Sequence, residues 1–102
     1  MHPNSKMYRI VKGKKYSIAA AVLIASDEYW DGQNWERRGR NQFLYRTKAG
    51  NYFTVYLSQW QGEQDNLTPC TQAEAIEMYE DNLREHEVPY TEAFPDVPVT
   101  DA

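Results

Sequence analysis

Three features of this 102-residue chain predict an α+β fold, with a small antiparallel sheet of three to five strands, two hairpins and one amphipathic C-terminal helix packed on one face. The first is a pair of runs rich in aromatic and β-branched residues that flank Lys48-Ala49-Gly50, as in a β-hairpin. The second is a shorter hairpin pattern around Lys12-Gly13, and the third is an amphipathic pattern near the C-terminus. We expect a disordered N-terminus at 1–6, a single α+β domain at 7–94 and an acidic flexible tail at 95–102.

The N-terminal part of the domain predicts one hairpin and one buried strand. Met7 to Ile18 contains two short runs that meet at Lys12-Gly13, where glycine permits the positive φ that a two-residue turn requires. In Ile18 to Ala25 the alanines favour a helix, whereas the Val-Leu-Ile centre and the short length favour a strand. We expect a strand from about Ala21 to Ala25. Asp27 to Asn41 has no periodicity and is predicted to be a long loop.

The second hairpin determines which side chains share a face of the sheet. Gly50 stands where a three-residue hairpin loop places its left-handed residue, so Arg46 is expected to pair with Tyr52. Side chains alternate along a strand, and this register therefore defines two faces. The face assigned to the core carries Phe43, Tyr45, Phe53, Val55 and Leu57. The opposite face carries Leu44, Arg46, Tyr52, Thr54, Tyr56, Ser58 and Trp60.

One helix is predicted after a polar loop at Gln61 to Pro69. Thr71 and Glu74 have the Thr-x-x-Glu spacing of a capping box, which satisfies two backbone N–H groups at the start of a helix. Apolar residues then recur at helical spacing, which predicts an amphipathic helix from about Gln72 to Arg84. We expect it to cover the sheet face that carries Phe43. The residues expected on its buried side are Ala75, Ile76, Tyr79 and Leu83.

The charge of the chain is divided between its two ends. Met1 to Gly62 carry ten Lys or Arg against four Asp or Glu, and Glu63 to Ala102 carry one against eleven. The resulting +6 and −10 sum to the net charge of −4. Such an asymmetry bears on partners and association rates more than on fold.

The acidic half allows three interpretations. The commonest role of such a charge run is a solvated helix face followed by a soluble tail. A rigid acidic helix can instead imitate the phosphates of a nucleic acid and occupy the basic groove of a protein partner. The acidic half can also fold onto the basic half of the same molecule, in a salt-dependent way. We favour a non-enzymatic interaction module that binds a basic protein or a nucleic-acid-binding complex through Glu74, Glu77, Glu80, Asp81 and Glu85.

The alternative function is single-stranded nucleic-acid binding, because aromatic side chains beside cations on a sheet are suited to base stacking. No ribonucleoprotein motif or helix-turn-helix is present, and the acidic half would repel phosphate. Covering such a sheet face with other elements is also the commoner outcome. The residues of this alternative are Arg37, Arg38, Arg40, Arg46, Tyr52, Tyr56 and Trp60.

No catalytic set is apparent in the sequence. His2 lies in the expected disordered start, and His86 lies at the helix exit, where a solvated role is favoured over a general base. Cys70 precedes the helix N-terminus, a position that stabilises thiolates, but no basic residue lies near it in sequence. We therefore expect neither enzymatic activity nor a cofactor.

The sequence also gives little support to a metal site, a membrane helix or secretion. Asp27, Glu28 and Asp31 cluster in one loop, yet they lack the alternating ligands and closing glutamate of a calcium loop, so no metal site is expected. The longest apolar run, Ile18 to Ala25, is too short for a membrane helix. With a single cysteine and no signal-peptide pattern, the chain is expected in the cytoplasm. Its oligomeric state does not follow from the sequence.

Three segments resemble a loose group of short uncharacterised bacterial proteins. They are GKKYS at Gly13 to Ser17, LYRTKAGNYF at Leu44 to Phe53 and LTPCTQAEAIEMYE at Leu67 to Glu80. The group is similar in a Tyr-Arg-Thr-x-x-Gly hairpin, a Glu-Ala helix and a Tyr-x-x-x-Phe tail, here Tyr90 to Phe94. The resemblance implies an origin often associated with mobile genetic elements, where small acidic proteins that block host defence complexes occur, and it brings no catalytic residues. This chain departs from the pattern at Ile18 to Ala21, where small apolar residues replace a more polar stretch.

Overall fold

A computed structural model describes residues 3–27, 40–58 and 66–101 of the chain. Within these residues the chain forms a two-stranded sheet, a five-stranded antiparallel sheet and short helices near the C-terminus, which confirms the predicted α+β class. Seven strands in the described residues exceed the three to five predicted. The strands are β1 (Tyr8–Val11), β2 (Lys14–Ser17), β3 (Ala21–Ser26), β4 (Arg40–Thr47), β5 (Tyr52–Ser58), β6 (Asn66–Cys70) and β7 (Glu85–His86). The helical segments are a 3-10 turn (Ile18–Ala20), α1 (Gln72–Glu77), a π-helical turn (Met78–Asn82) and α2 (Tyr90–Ala93).

The five-stranded sheet has the order β6-β5-β4-β3-β7, with the β4–β5 hairpin near its middle. The predicted register of this hairpin is confirmed, because Arg46 lies opposite Tyr52 and Phe43 opposite Val55. At the turn Gly50 has a φ of 89°, and its N–H donates to the Thr47 carbonyl at 3.0 Å. Glycine is favoured there because other residues are strained at positive φ.

The N-terminal hairpin is also confirmed, and it forms the separate two-stranded sheet. Lys12 and Gly13 have φ values of 52° and 79°, the positive pair that a type I′ turn requires. The guanidinium of Arg9 donates to the Leu67 carbonyl at 3.0 Å, which links β1 to β6. We call β1, β2 and their turn, residues 8–17, the basic hairpin.

The basic hairpin covers the sheet face that carries Phe43, which we call the hairpin face. Tyr16 is 8% exposed and meets the Phe53 ring edge-on at 5.9 Å between centroids. Phe53 in turn stacks on Tyr45 at 5.1 Å. The hairpin thus supplies the apolar surface that this face buries. The buried cluster consists of Tyr16, Phe43, Tyr45, Phe53, Val55, Leu57 and Leu67.

The helical segments lie on the opposite face, which we call the helix face, so the predicted packing of the helix was wrong. Leu44 and Tyr52 are the sheet residues that meet them, and Leu83 packs there at 1% exposure. The sequence pattern did not predict that this face is buried, because the strands themselves contribute few aliphatic residues to it. Most of the apolar partners come from the C-terminal segment itself. The buried cluster consists of Ile24, Ala25, Leu44, Tyr52, Ala75, Tyr79, Leu83, Ala93 and Phe94.

A bulge in β3 lets this strand serve both faces. The strand extends one residue beyond the predicted Ala21–Ala25 span, to Ser26, and its pairing with β4 shifts between Leu23 and Ala25. Ile24 and Ala25 consequently both belong to the helix-face cluster, whereas Leu23 packs against the hairpin-face cluster. Neighbouring residues point to opposite sides in a regular strand, and a bulge breaks this alternation.

Three short elements were missed by the sequence patterns. β6 was predicted to be part of a loop, because Pro69 and the polar residues before it are atypical of a strand. Proline is compatible with an edge strand, and β6 lies at one edge of the sheet, opposite β7. β7 and α2 follow the main helical segment and complete the cover of the helix face.

The predicted flanking segments make local contacts where they are described. The N–H of Met7 donates to the Asn4 carbonyl at 2.9 Å, which closes a turn ahead of β1. Beyond α2, the N–H of Val97 donates to the Phe94 carbonyl at 3.1 Å, and Val97 packs against the helix-face cluster. The chain up to Val97 therefore contacts the folded unit.

Candidate functional site

The acidic residues proposed for partner binding lie in the segment that covers the helix face. We call this segment, residues 71–101, the acidic layer. It carries nine Asp or Glu against the single Arg84. The side chains of Glu74, Glu77, Glu80, Asp81 and Glu85 are all exposed. The structure thus places the five predicted site residues on the outside of one ordered layer.

The capping box predicted at the start of the layer is present. The Glu74 N–H donates to Thr71 Oγ1 at 3.1 Å, and the Thr71 N–H donates to Glu74 Oε1 at 2.9 Å. Hydrogen bonding to the Thr71 N–H, and next to the Thr71 side chain, holds the pKa of Glu74 below its usual range. Its carboxylate therefore stays charged at the helix start, where negative charge is also favourable to the helix dipole.

The helix is shorter and less regular than predicted. α1 ends at Glu77 and a π-helical turn follows, so the expected helix to Arg84 was wrong in its second half. The N–H of Leu83 donates to the Met78 carbonyl at 2.8 Å, which is the wider i to i+5 spacing of this turn. The turn widens the coil while Tyr79 and Leu83 both remain buried against the sheet. Hydrophobic periodicity alone does not distinguish this turn from an α-helical one.

Tyr79 is a buried residue of the acidic layer that contacts the segment following the π-helical turn. Its hydroxyl donates to the Val88 carbonyl at 2.8 Å, and its ring stacks on His86 with centroids 3.7 Å apart. The His86 Nε2–H donates to the Tyr79 carbonyl at 2.8 Å. Burial, and next the neighbouring Tyr90, raise the pKa of Tyr79. His86 is exposed, as its sequence position suggested, but it lies in β7 and also makes these structural contacts with Tyr79.

The alternative nucleic-acid face is not an open surface where the structure describes it. Tyr52 is 3% exposed, its hydroxyl donates to the Ala93 carbonyl at 2.8 Å, and its ring lies 5.3 Å from that of Phe94. Arg46 is half-buried, with a buried Nε that has no hydrogen-bond partner among the described residues. Tyr56 is also half-buried. The other residues predicted for this face lie outside the described residues. They are Arg37, Arg38, Trp60 and the side chain of Arg40.

A second charged surface lies on the other side of the sheet, on and beside the basic hairpin. Lys14 and Lys15 of β2 and Lys48 of the β4–β5 turn line an open groove of about 380 Å³. The sequence pattern had grouped the first two lysines, but Lys48 is remote from them in the chain. Lys48 lies near Lys14 and Lys15 only because the basic hairpin packs across the sheet.

Cys70 has the opposite character to a catalytic thiol. It is partly buried at the end of β6, and burial, followed by the charge of Glu74, raises its pKa to about 11. A nucleophilic cysteine needs a lowered pKa because the thiolate is the reactive form. The geometry therefore gives no support to an enzyme built on Cys70.

Asp27 has a structural role at the end of β3. Its Oδ1 accepts from the Gln42 N–H at 2.8 Å and from Asn41 Nδ2 at 3.2 Å. Glu28 and Asp31, the other members of the acidic loop cluster, lie outside the described residues. Among the described residues, no group of three or more His, Cys, Asp or Glu is arranged to hold a metal ion.

Comparison of the chain with protein-family models, with curated proteins and with solved structures finds no match. In the described residues, no helix has the length and apolar character needed to cross a membrane.

Proposed function

We propose that this protein is a non-enzymatic interaction module that presents the acidic layer to a basic protein partner. The observation that carries this proposal is the composition of one ordered layer, in which nine acidic side chains accompany a single Arg. The buried side of the layer is anchored by Tyr79 and Leu83, so the carboxylates are held on a packed support. Preorganised charges lose less conformational entropy on binding than charges on a flexible tail.

The chemistry of the layer favours a nucleic-acid-binding partner. Carboxylates at Glu77 and Asp81 are one helical turn apart, so they form a row of negative charge rather than an isolated ion. Arg and Lys side chains that grip phosphates also bind carboxylates, with Arg forming paired hydrogen bonds. The layer would therefore compete with a nucleic acid for a basic groove on its partner.

The resemblance to proteins of mobile genetic elements supports a narrower proposal, in which the module inhibits a host defence complex. Inhibition follows directly from occupancy, because a partner groove filled by the acidic layer is closed to nucleic acid. No chemical step is required, and the cytoplasm is the compartment in which such a complex would be met.

Affinity capture with charge-neutralised variants tests the proposal. Immobilised full-length protein is exposed to a bacterial lysate, and bound proteins are eluted with duplex DNA and identified by mass spectrometry. The site variant combines Glu77→Gln, Asp81→Asn and Glu85→Gln, which leaves the capping box intact. The control variant, Glu92→Gln, Asp96→Asn and Asp101→Asn, removes the same charge from the end of the layer.

We expect the wild-type protein and the control variant to retain nucleic-acid-binding proteins that duplex DNA releases, and the site variant to lose them. Rim charges act mainly on association rate and salt dependence, so the loss should be largest at low salt. Equal loss in both variants would mean that net charge alone is responsible and would contradict the proposed surface. Retention by the site variant would contradict it too.

A further inference from the structure

The groove beside the basic hairpin has the chemistry of an anion-binding site. Lys14, Lys15 and Lys48 line it, and the described residues of its wall include no Asp or Glu. Ser17, Thr47 and Asn51, whose side chains can form hydrogen bonds, line the groove as well. We propose that this groove binds the phosphate backbone of a short single-stranded nucleic acid.

Two turns hold the lysines in place. Lys14 and Lys15 follow the type I′ turn of the basic hairpin, whose register pairs Val11 with Lys14. Lys48 lies in the β4–β5 turn, where the Asn51 N–H donates to Thr47 Oγ1 at 3.1 Å. The groove is therefore formed between two defined hairpin ends and not by loose tails.

An aromatic and apolar platform adjoins the lysines on the outer face of the basic hairpin. Tyr8 is 56% exposed and Ile10 is 62% exposed, although large apolar side chains are usually buried. Lys15 connects the platform to the groove, because it pairs with Ile10 across the hairpin and its Nζ lies 4.6 Å from the centre of the Tyr8 ring. Stacking of a base on an aromatic ring next to cations is how many proteins bind single strands without sequence preference.

The platform selects a single strand over a duplex. Bases in a duplex are stacked on one another and are not available to Tyr8, whereas those of a single strand expose their faces. It also distinguishes a nucleic acid from the acidic layer of a second copy. That layer offers carboxylates to the lysines, but its Tyr and Phe side chains are buried or half-buried and are less available to Tyr8 than the bases of a single strand.

The acidic layer does not prevent this binding, because it lies on the other side of the five-stranded sheet. Packed layers are separated by about 10 Å, so two steps place most of the charges about 20 Å apart. The exception is one edge, where Lys14 and Glu74 line a common groove. The Debye length is about 8 Å at physiological ionic strength, and repulsion over this distance is largely screened. Away from that edge, at Lys15 and Lys48, the groove can therefore bind phosphate without repulsion from the acidic layer.

Fluorescence anisotropy with a labelled oligothymidylate of about eight nucleotides, titrated against full-length protein over a range of salt, tests the proposal. The site variant is Lys15→Gln with Lys48→Gln. The control variant is Lys6→Gln with Arg84→Gln, which removes the same charge from exposed positions outside the groove. A third variant, Tyr8→Ser, tests the stacking platform.

With three lysine–phosphate contacts, the slope of log K against log salt should be about −2 for the wild-type protein. It should fall to about −0.7 in the site variant, with binding about tenfold weaker at low salt, and stay near the wild-type value in the control. Tyr8→Ser should weaken binding at every salt concentration without changing the slope.

Several results would overturn the proposal. One is no binding by the wild-type chain at low salt, and another is an equal loss in the control variant. Equal affinity for inorganic polyphosphate, together with no effect of Tyr8→Ser, would mean that the groove binds any polyanion through charge alone. Salt-sensitive self-association without oligonucleotide binding would mean that the basic hairpin binds the acidic layer of a second copy instead.

Discussion

At the scale of single residues, buried tyrosines explain the aromatic richness of the chain better than an exposed binding face does. Tyr52 and Tyr79 lie in the helix-face cluster at 3% and 5% exposure. Each hydroxyl donates to a carbonyl of the C-terminal segment at 2.8 Å, Tyr52 to Ala93 and Tyr79 to Val88. A buried tyrosine needs such an acceptor, because an unsatisfied polar group is costly away from water. These two side chains therefore fasten the acidic layer to the sheet.

The reactivity of Cys70 can be predicted from its surroundings. A pKa raised to about 11 leaves far less thiolate at neutral pH than a thiol at the ordinary 9.0 would have. Alkylation of the native protein by iodoacetamide at neutral pH should be about a hundredfold slower than in concentrated urea. The alkylated fraction over time is measured by intact-protein mass spectrometry.

A variant isolates the electrostatic part of this effect. Glu74→Gln removes the smaller of the two causes, the nearby negative charge, and should increase the alkylation rate modestly without reaching that of the unfolded chain. Native alkylation as fast as in urea would mean that the thiolate is stabilised, and would restore Cys70 as a candidate nucleophile.

At the scale of elements, the capping box sets the start of α1 and thereby of the acidic layer. Thr71→Ala removes the side chain that accepts from the Glu74 N–H, and it should lower the free energy of unfolding by about 1 kcal/mol. Thr71→Ser retains the acceptor and is the matched control. Urea unfolding followed by far-UV circular dichroism measures both, and an equal cost for the two variants would contradict a capping role.

The same box predicts a pH dependence. The pKa of Glu74 is lowered in the folded protein, so its stabilising contribution is present above the ordinary value of 4.5 and is lost as the pH falls through the lower folded value. Thr71→Ala removes the side-chain hydrogen bond, which is the second cause of this lowered pKa, and leaves the larger one from the Thr71 N–H. The unfolding free energy of the variant should therefore depend slightly less on pH in that acidic range. Parallel pH profiles for the two proteins would contradict this linkage.

At the scale of the whole molecule, the five-stranded sheet separates the basic hairpin from the acidic layer. The basic hairpin covers one face and the acidic layer covers the other, so the sequence asymmetry becomes a spatial one. At one edge the layers approach each other, where Lys12 and Glu74 line a common groove. Elsewhere the five-stranded sheet lies between the two surfaces.

The packing of the acidic layer on the helix face gives a stability prediction. Leu83 is 1% exposed, and Leu83→Asp places a charge among apolar side chains where no partner is available to it. We expect a loss of about 3–5 kcal/mol in the free energy of unfolding, or no folded protein at all. The measurement is urea denaturation followed by tryptophan fluorescence and far-UV circular dichroism.

Two further variants make this result interpretable. Asn82→Asp adds the same charge at the neighbouring exposed position and should change stability by less than about 0.5 kcal/mol. Leu83→Ala keeps the site apolar and should cost about 2–5 kcal/mol if Leu83 fills the cluster as described. Wild-type-like unfolding of Leu83→Asp would mean that the layer is not packed on the sheet.

Local signals predicted the turns and the helix start correctly. The Lys12-Gly13 turn, the Gly50 position and the Thr71–Glu74 box each depend on backbone geometry within a few residues, and all three are present. The β4–β5 register followed from the turn for the same reason. The span of β6 was missed, since its strand character comes from pairing with β5 and not from its own composition.

The candidate surfaces were predictable to different degrees. The acidic residues could be found from composition and helical spacing, because exposure of charged side chains on an amphipathic helix is a local consequence of its pattern. The groove between Lys15 and Lys48 could not, since the two residues meet only through the docking of one hairpin on another. The burial of Tyr52 could not be predicted from the sequence either, because it depends on contacts with α2 and Phe94.

By itself the sequence determined the α+β class, both hairpin turns, the capped helix start and the division of charge along the chain, because each depends on interactions between residues close in sequence. Only the tertiary structure decided which element covers which face of the sheet. Both faces are apolar enough to be buried, and the choice depends on the shapes of the two covering segments, with Tyr16 meeting Phe53 on one side and Leu83 meeting the Tyr52 cluster on the other. That choice places the acidic layer and the basic hairpin on opposite sides of the molecule.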